Sequence, residues 1–351
     1  MVIASRQRVC ILSGGMLGDT ALLLPTLPAL RQLYPQSEFS MIVDNRWLDI
    51  VSGNPSLSRW FGSPELASDA WPAFLTELSK LDFDVTLAFT ANPRAEAMMR
   101  AIRAKCRVVS RWWRVSCARV ATVAESDKFW THELGDGTEW PASFYAGCRD
   151  VLLSHGCASA AFKAEFDIPA EALRFARRHT AIKPTLILHV SASAVSTGSG
   201  DDNKFWPAAR FAEIVRRAVT CYAVKVLFVG DAYAQRQTAA VRAHLGDLAV
   251  SDVVVDLTGR TTVKQLLGLL RLARVVVSND SGPMHLAAVL GTPTLGIFTS
   301  TSSFWRPWPG PYVSVVGDRD SPPDRTLARQ PPSVDTVWAA LELLMRTSAT
   351  L

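Results

Sequence analysis

Val275-Val-Val-Ser-Asn-Asp-Ser-Gly-Pro-Met-His-Leu-Ala-Ala-Val-Leu-Gly-Thr-Pro-Thr294 is the stretch that decides the fold. Its β-branched opening predicts a buried strand, Asp280-Ser281-Gly282 a turn, and Pro283 the first turn of a helix, where the missing proline N–H costs nothing. Gly291 and Pro293 close that helix ahead of a second apolar run, Thr294 to Phe298. Strand, turn, helix and strand in that order make a βαβ unit. Amides at the helix start, at the positive end of its dipole, suit a phosphate-bearing ligand, and Gly282 lets it approach the backbone closely. A plainer arrangement, in which Ser281 caps the helix and His285 packs, fits the same residues.

The same alternation extends in both directions. Downstream of residue 184 it predicts strands at Thr185 to Val190, Lys225 to Val229, Val253 to Leu257 and Val275 to Ser278, with helices at Ala208 to Val219, Tyr233 to Leu245, Val263 to Ala273 and Pro283 to Leu290. Upstream it predicts strands at Val9 to Ser13, Phe39 to Val43, Asp84 to Phe89 and Arg107 to Ser110, with helices at Thr26 to Leu33, Ala70 to Lys80 and Arg94 to Ala104. Two βαβ series imply an α/β protein of two Rossmann-like domains facing across a cleft. We expect an N-terminal domain over 1–168, a linker over 169–184 and a C-terminal domain over 185–332. The final segment, 333–351, carries an apolar stripe at Val334, Val337, Trp338, Leu341, Leu344 and Met345 that must pack on something.

Composition agrees. A chain of 351 residues allows two domains at roughly 150 residues each. With 48% hydrophobic and 20% charged residues, it is neither disordered nor low-complexity. Gly14, Gly15, Gly18 and Asp19 interrupt the first apolar run before it is long enough to span a bilayer, so a cytoplasmic protein is expected. Six scattered cysteines, with no C-x-x-C pair, indicate neither zinc nor a disulfide framework, and read as small buried hydrophobes. The formal charge of +5 favours an anionic partner.

Two further segments carry chemistry. Cys10-Ile-Leu-Ser-Gly-Gly-Met-Leu-Gly-Asp-Thr20 is a strand running into a glycine-rich loop that ends in a carboxylate. It supplies only part of G-x-G-x-x-G, which argues against a nicotinamide cofactor. Asp19 suits a helix cap, and equally a general base at the carboxyl end of the first strand, where ligands bind in open α/β sheets. His189-Val-Ser-Ala-Ser193 leads through a polar loop to Asp201-Asp-Asn-Lys-Phe-Trp-Pro207, making Lys204 a candidate phosphate contact. Gly230-Asp231, after the next strand, adds a candidate ribose or base contact.

Together these segments resemble glycosyltransferase family 9, the ADP-heptose:lipopolysaccharide heptosyltransferases and their relatives. The resemblance rests on Gly15-Met-Leu-Gly-Asp-Thr with Leu24-Pro-Thr-Leu-Pro-Ala-Leu, on Asn203-Lys-Phe-Trp-Pro with Phe211-Ala-Glu, and above all on Ser278-Asn-Asp-Ser-Gly-Pro-Met-His-Leu-Ala-Ala. It implies a GT-B architecture, an acceptor held by the N-terminal half, and a final helix that packs back on that half. Residue by residue it makes Asp19 the catalytic base and Lys204 the contact to the donor diphosphate. Asp280, Ser281, Gly282 and His285 fall on the donor-binding turn; Gly18, Ser199 and Asp231 complete the expected donor contacts. The implied reaction is an inverting, metal-independent transfer of a sugar, heptose from ADP-heptose in the first instance, to a lipopolysaccharide core or related anionic glycan or glycolipid. The loop from Ser191 to Asn203 is longer and richer in Ser and Gly than the family leads one to expect, which leaves the donor open. A sugar-nucleotide epimerase of the same architecture and a catalytically silent nucleotide-sugar-binding protein are the competing readings.

Asp82-Phe-Asp84 matches a metal-binding Asp-x-Asp only formally, since it enters a strand. A basic run at Arg100, Arg103, Lys105, Arg107, Arg111, Arg114 and Arg119, with Trp112 and Trp113 among them, suits an anionic acceptor or peripheral contact with the inner membrane. No nucleic-acid-binding module accompanies it.

Overall fold

The computed structural model describes residues 6–13, 15–88, 93–110, 132–134, 149, 152–153, 156–158, 162–192, 205–299, 311–317 and 330–347, with the backbone alone at 109–110 and 132–134. The chain divides into two compact units, Met1–Asp167 and Ile168–Leu351.

In the first unit, strands β1 (Arg8–Leu12), β2 (Glu38–Asp44), β3 (Arg59–Ser63), β4 (Asp82–Ala88), β5 (Arg103–Ser110) and β6 (His132–Leu134) form one parallel sheet in the order β3-β2-β1-β4-β5-β6. Val9 pairs with Phe39 on one side and Val85 on the other. With both neighbours in place, Val9 to Leu12 are fully buried, which is why this central strand reads as an unbroken apolar run. Helices α1 (Leu17–Leu23), α2 (Thr26–Leu33), α3 (Leu48–Val51), α4 (Trp71–Leu78) and α5 (Pro93–Ala101) accompany the sheet. One core cluster joins Cys10, Leu12 and Ile42 to Trp71, Phe83, Met98, Met99 and Ile102.

The second unit repeats the plan. Strands β7 (Thr185–His189), β8 (Lys225–Phe228), β9 (Val254–Asp256), β10 (Val275–Asn279), β11 (Thr294–Phe298) and β12 (Tyr312–Val316) run parallel in the order β12-β11-β10-β7-β8-β9. Counted within its own unit, each sheet has the order 3-2-1-4-5-6 of a dinucleotide-type Rossmann fold, with the strand order reversing at β1/β4 and at β7/β10. Around this sheet lie α6 (Ala170–Thr180), α7 (Ala208–Tyr222), α8 (Gln235–Ala243), α9 (Val263–Leu272), α10 (Gly282–Val289) and α11 (Val334–Thr347). Thr262 and Gln265 form a reciprocal capping box at the start of α9.

The segment 169–184, expected as a linker carrying a helix, contains α6, which clusters with the second unit and packs on α9, so closely that a Cβ at Gly268 would lie 2.9 Å from the Ala172 carbonyl oxygen. The apolar stripe of α11, expected to meet the first half, finds its partners in its own unit. Val337, Leu341, Leu344 and Met345 are buried in one core with Leu295, Ile297, Phe211 and Val215. Arg217 pairs with Asp335 at 2.7 Å, and the Trp338 ring packs on Tyr222. The physical reason is coverage: α11 lies over β10, β11 and β12, whose apolar residues need a layer of helix. Finally, burial holds for Cys10, whose thiol pKa it pushes up, and for Cys157, but Cys221 is exposed on α7 and Cys106 half-buried. Cys117 and Cys148 lie outside the described residues.

Candidate functional site

The turn that ends β10 is knitted to the end of β7. Asn279 is fully buried; its Nδ2 donates to the Val190 carbonyl at 2.8 Å, and its Oδ1 accepts the Trp206 N–H at 3.2 Å. Trp206 is itself buried, edge-on to Phe211, with its indole N–H donating to the Pro332 carbonyl at 2.8 Å. One amide side chain thus ties together the end of β7, the entry to α7 and the turn after β10.

Next along the turn, Ser281 occupies the position that would cap α10, but its hydroxyl makes no capping bond. It is engaged instead with Ser278 Oγ at 2.8 Å, and Ser278 Oγ lies 3.5 Å from His189 Nδ1. The plainer reading of Ser281 as a side-chain cap is therefore overturned. Amides at the start of α10 are left uncapped by their own serine, the condition under which a helix start holds an anion. His285, in the same helix and 4% exposed, has Nε2 3.5 Å from Asp280 Oδ1, while its Nδ1 is buried with no hydrogen-bond partner among the described residues.

Gly230 has φ +150°, and a Cβ there would fall 2.6 Å from Ala234 Cβ and 3.3 Å from the His189 ring, so only glycine fits. Asp231 is exposed and caps the short 232–234 turn by accepting from the Ala234 N–H at 3.2 Å. Burial drives the His189 pKa down to about 4, against opposing contributions from the Asp231 charge and a backbone bond to Ser191. A lowered folded-state pKa means that the unfolded chain binds the proton more tightly. Stability from this group is therefore complete above pH 6.5 and lost as pH falls toward 4. Wild-type protein is expected to lose about 2 kcal/mol from this source between pH 7 and pH 5. His189→Gln should remove that part of the slope in denaturant titrations at the two pH values.

In the first unit the carboxyl edge is organised differently. Asp19 is half-buried in the first turn of α1, whose cap position is Met16, so the carboxylate is inside the helix and not its cap. Gly18 precedes it in the same turn. Thr20 Oγ1 lies 2.7 Å from Ser13 Oγ and donates to the Met16 carbonyl, closing the loop on the end of β1. At the end of β2, buried Asp44 accepts from Arg46 through both oxygens and from Arg94 Nη1 at 2.7 Å. Burial works against its charge, but these bonds prevail and hold the carboxyl below its ordinary pKa.

A protein-family model described as glycosyltransferase family 9 (heptosyltransferase) matches residues 140–330, more than half of the chain and all of β7 to β12. The chain belongs to glycosyltransferase family 9. It is a nucleotide-sugar glycosyltransferase. It is 25% identical over 303 residues to the lipopolysaccharide core heptosyltransferase OpsX of Haemophilus influenzae, covering 83% of this chain and 79% of that one. A glycosyltransferase family 9 structure from Veillonella parvula superposes with a TM-score of 0.80 at 17% identity, over 98% and 99% of the two chains. The Escherichia coli heptosyltransferase WaaC with ADP-2-deoxy-2-fluoro heptose superposes with a TM-score of 0.68 at 16% identity, over 96% and 99%. The fold is of the GT-B class, built of two Rossmann-like domains with parallel sheets.

Of the residues singled out in the sequence, Asp280, Ser281, Gly282 and His285 sit together in one turn of the second unit, after β10, whereas Asp231 follows β8, which is separated from β10 by β7. Asp19 and Gly18 share a turn of the first. Lys204, Ser199 and Gly14 lie outside the described residues. Asn279, His189, Asp44, Arg94 and Trp47 went unrecognised as structural centres. Asn279 and Asp44 each left a trace, a polar residue closing an otherwise apolar buried strand; Arg94 left none, because its partners lie 30 to 50 residues away. Asp82 and Asp84 do lie at the start of β4, paired with Arg8 and Lys105. Of the basic run, Arg100 pairs with Glu96 and Arg107 donates to the Met99 and Ile102 carbonyls, while the part beyond Ser110 lies outside the described residues. Among the described residues no helix is long and apolar enough to cross a membrane.

Proposed function

We propose that this glycosyltransferase transfers heptose from ADP-heptose to a lipopolysaccharide core, by a single inverting displacement. The observation that carries the donor half is the start of α10: Ser281 turns its hydroxyl to Ser278 and makes no side-chain cap, which leaves the helix start suited to a diphosphate. His285 supports it with a buried ring nitrogen that lacks a partner among the described residues. Similarity to a heptosyltransferase of the lipopolysaccharide core and to a structure holding an ADP-heptose analogue supports the choice of donor and acceptor class.

In this reading Asp19 takes the proton from the acceptor hydroxyl as its oxygen attacks the anomeric carbon. The C–O bond to the donor breaks on the opposite face, and ADP leaves with the bonding pair. Charge growing on the diphosphate is met by the α10 amides and by Lys204, without a metal ion. Asp231 reaches the ribose; Gly18 and Ser199 complete the donor contacts. The acceptor is an anionic glycolipid met at the cytoplasmic face of the inner membrane.

The test is a mass-spectrometric screen of nucleotide-sugars against a deacylated core oligosaccharide, with EDTA throughout. A mass gain of one heptose on the glycan, with ADP released, is the expected result. Epimerised donor in the absence of glycan would replace this reading with an epimerase, and ADP binding without any product would replace it with a silent binding protein.

A further inference from the structure

Two side chains, Trp47 and Arg94, meet the backbone just ahead of Asp19, and Asp44 and Arg46 hold them in turn. Gly15 has φ +103°, a left-handed conformation that glycine adopts without strain, and its carbonyl accepts the Trp47 indole N–H at 3.1 Å. On its other side, a Cβ at Gly15 would lie 3.2 Å from Arg94 Nη1. Neither neighbour is loose. Arg94 Nη1 is bonded to Asp44, and Arg94 Nη2 donates to the Ser63 carbonyl, the Ser63 hydroxyl and the Pro64 carbonyl at 3.0, 2.7 and 2.6 Å. Trp47 follows directly on Arg46, whose guanidinium grips Asp44 through two bonds and stacks on the Trp47 ring at 5.3 Å.

We infer that Asp44, Arg46, Trp47 and Arg94 form a clamp that sets the Gly15 turn, and through it the direction of the Asp19 side chain. Trp47 and Arg94 are thus positioning residues for the transfer reaction. The chain of forces is short. Asp44 at the end of β2 orients two guanidiniums; one places the indole that holds the Gly15 carbonyl, and the other walls the side of Gly15 that has no Cβ. The N-cap Met16 comes next, and Asp19 sits three residues beyond it, in the first turn of α1. Because α1 has only seven residues, its direction follows from where its start is pinned, and two anchors are visible: the Ser13–Thr20 hydroxyl pair and this clamp.

The inference about catalysis rests on Asp19 as the base, but the clamp itself does not. Two measurements separate them. Trp47→Phe keeps the ring and deletes the N–H, and Arg94→Lys keeps a cation for Asp44 and deletes the fork to Ser63 and Pro64. Hydrogen exchange read by mass spectrometry is expected to rise at least 10-fold at residues 15–20 in both variants and to stay at the wild-type rate at residues 282–289. Wild-type exchange at 15–20 in Trp47→Phe overturns the clamp. In turnover with the donor and glycan of the screen, kcat should fall roughly 10- to 100-fold, the range expected for a catalytic group displaced by about 1 Å. The donor KM and ADP affinity should stay within about twofold. In an Asp19→Asn background, Trp47→Phe should lower kcat by less than about twofold, since what it positions is already gone. A full loss there would mean that the clamp acts other than through Asp19. A fully active Asp19→Asn enzyme with 15–20 still loosened by Trp47→Phe would refute the base while leaving the clamp standing.

Discussion

Asp19→Asn is expected to lower turnover by roughly 10²- to 10⁴-fold, the usual contribution of a positioned general base. Asparagine matches the carboxylate in size and still accepts a hydrogen bond, so α1, the Ser13–Thr20 contact and the Gly15 turn should keep their geometry. What is lost is the ability to take the acceptor proton. ADP affinity, proposed to come mainly from the second unit, should not change. Calorimetric ADP binding alongside steady-state kinetics gives both readouts; a variant with more than a tenth of wild-type turnover would remove Asp19 from the base role. A fall confined to acceptor KM would make it a binding group instead.

Asn279→Ala should give the largest loss of stability in the second unit. Its side chain bonds the Val190 carbonyl and the Trp206 N–H in a fully buried position, so truncation leaves two backbone groups without partners. Each such group costs about 1–3 kcal/mol. For a unit of this size that corresponds to a Tm lower by roughly 5–20 °C. Asn279→Asp should be worse than Asn279→Ala, although it is nearly isosteric. A carboxylate oxygen would face the Val190 carbonyl, and an unpaired charge would be buried. Both variants should also weaken ADP binding, because the same side chain supports the turn proposed to hold the diphosphate. Thermal scanning fluorimetry decides it: equal Tm for wild type and Asn279→Ala, or an aspartate variant better than alanine, would contradict this account.

Much of the fold was legible because its elements are locally determined. Strands Val275 to Asn279 and Thr294 to Phe298 are buried on both faces, so each leaves an apolar stretch, Val275 to Val277 and Leu295 to Phe298. Thr26 to Leu33 carried its own helical period, and Thr262 with Gln265 its own cap. The edge strands β3 and β12 went unseen for the converse reason: half exposed, Arg59–Ser63 and Tyr312–Val316 lack such a run. Helix α1 was hidden by its glycines, and reads as a loop until Thr20 and Ser13 are brought together.

The candidate site divides along the same line. Asp280 to His285 are near one another in the chain, so one βα turn brings them together wherever that turn sits. Neighbours in sequence fixed the class of fold, the βα turn and the family, since these depend on contacts a few residues apart. Tertiary structure alone decided that Asn279 would brace Val190, 89 residues away, that Arg94 would brace Asp44, 50 away, and that α11 would cover β10 to β12. Such partners are chosen by which strand ends a parallel sheet brings side by side, and a short-range hydrophobic period carries no record of that choice.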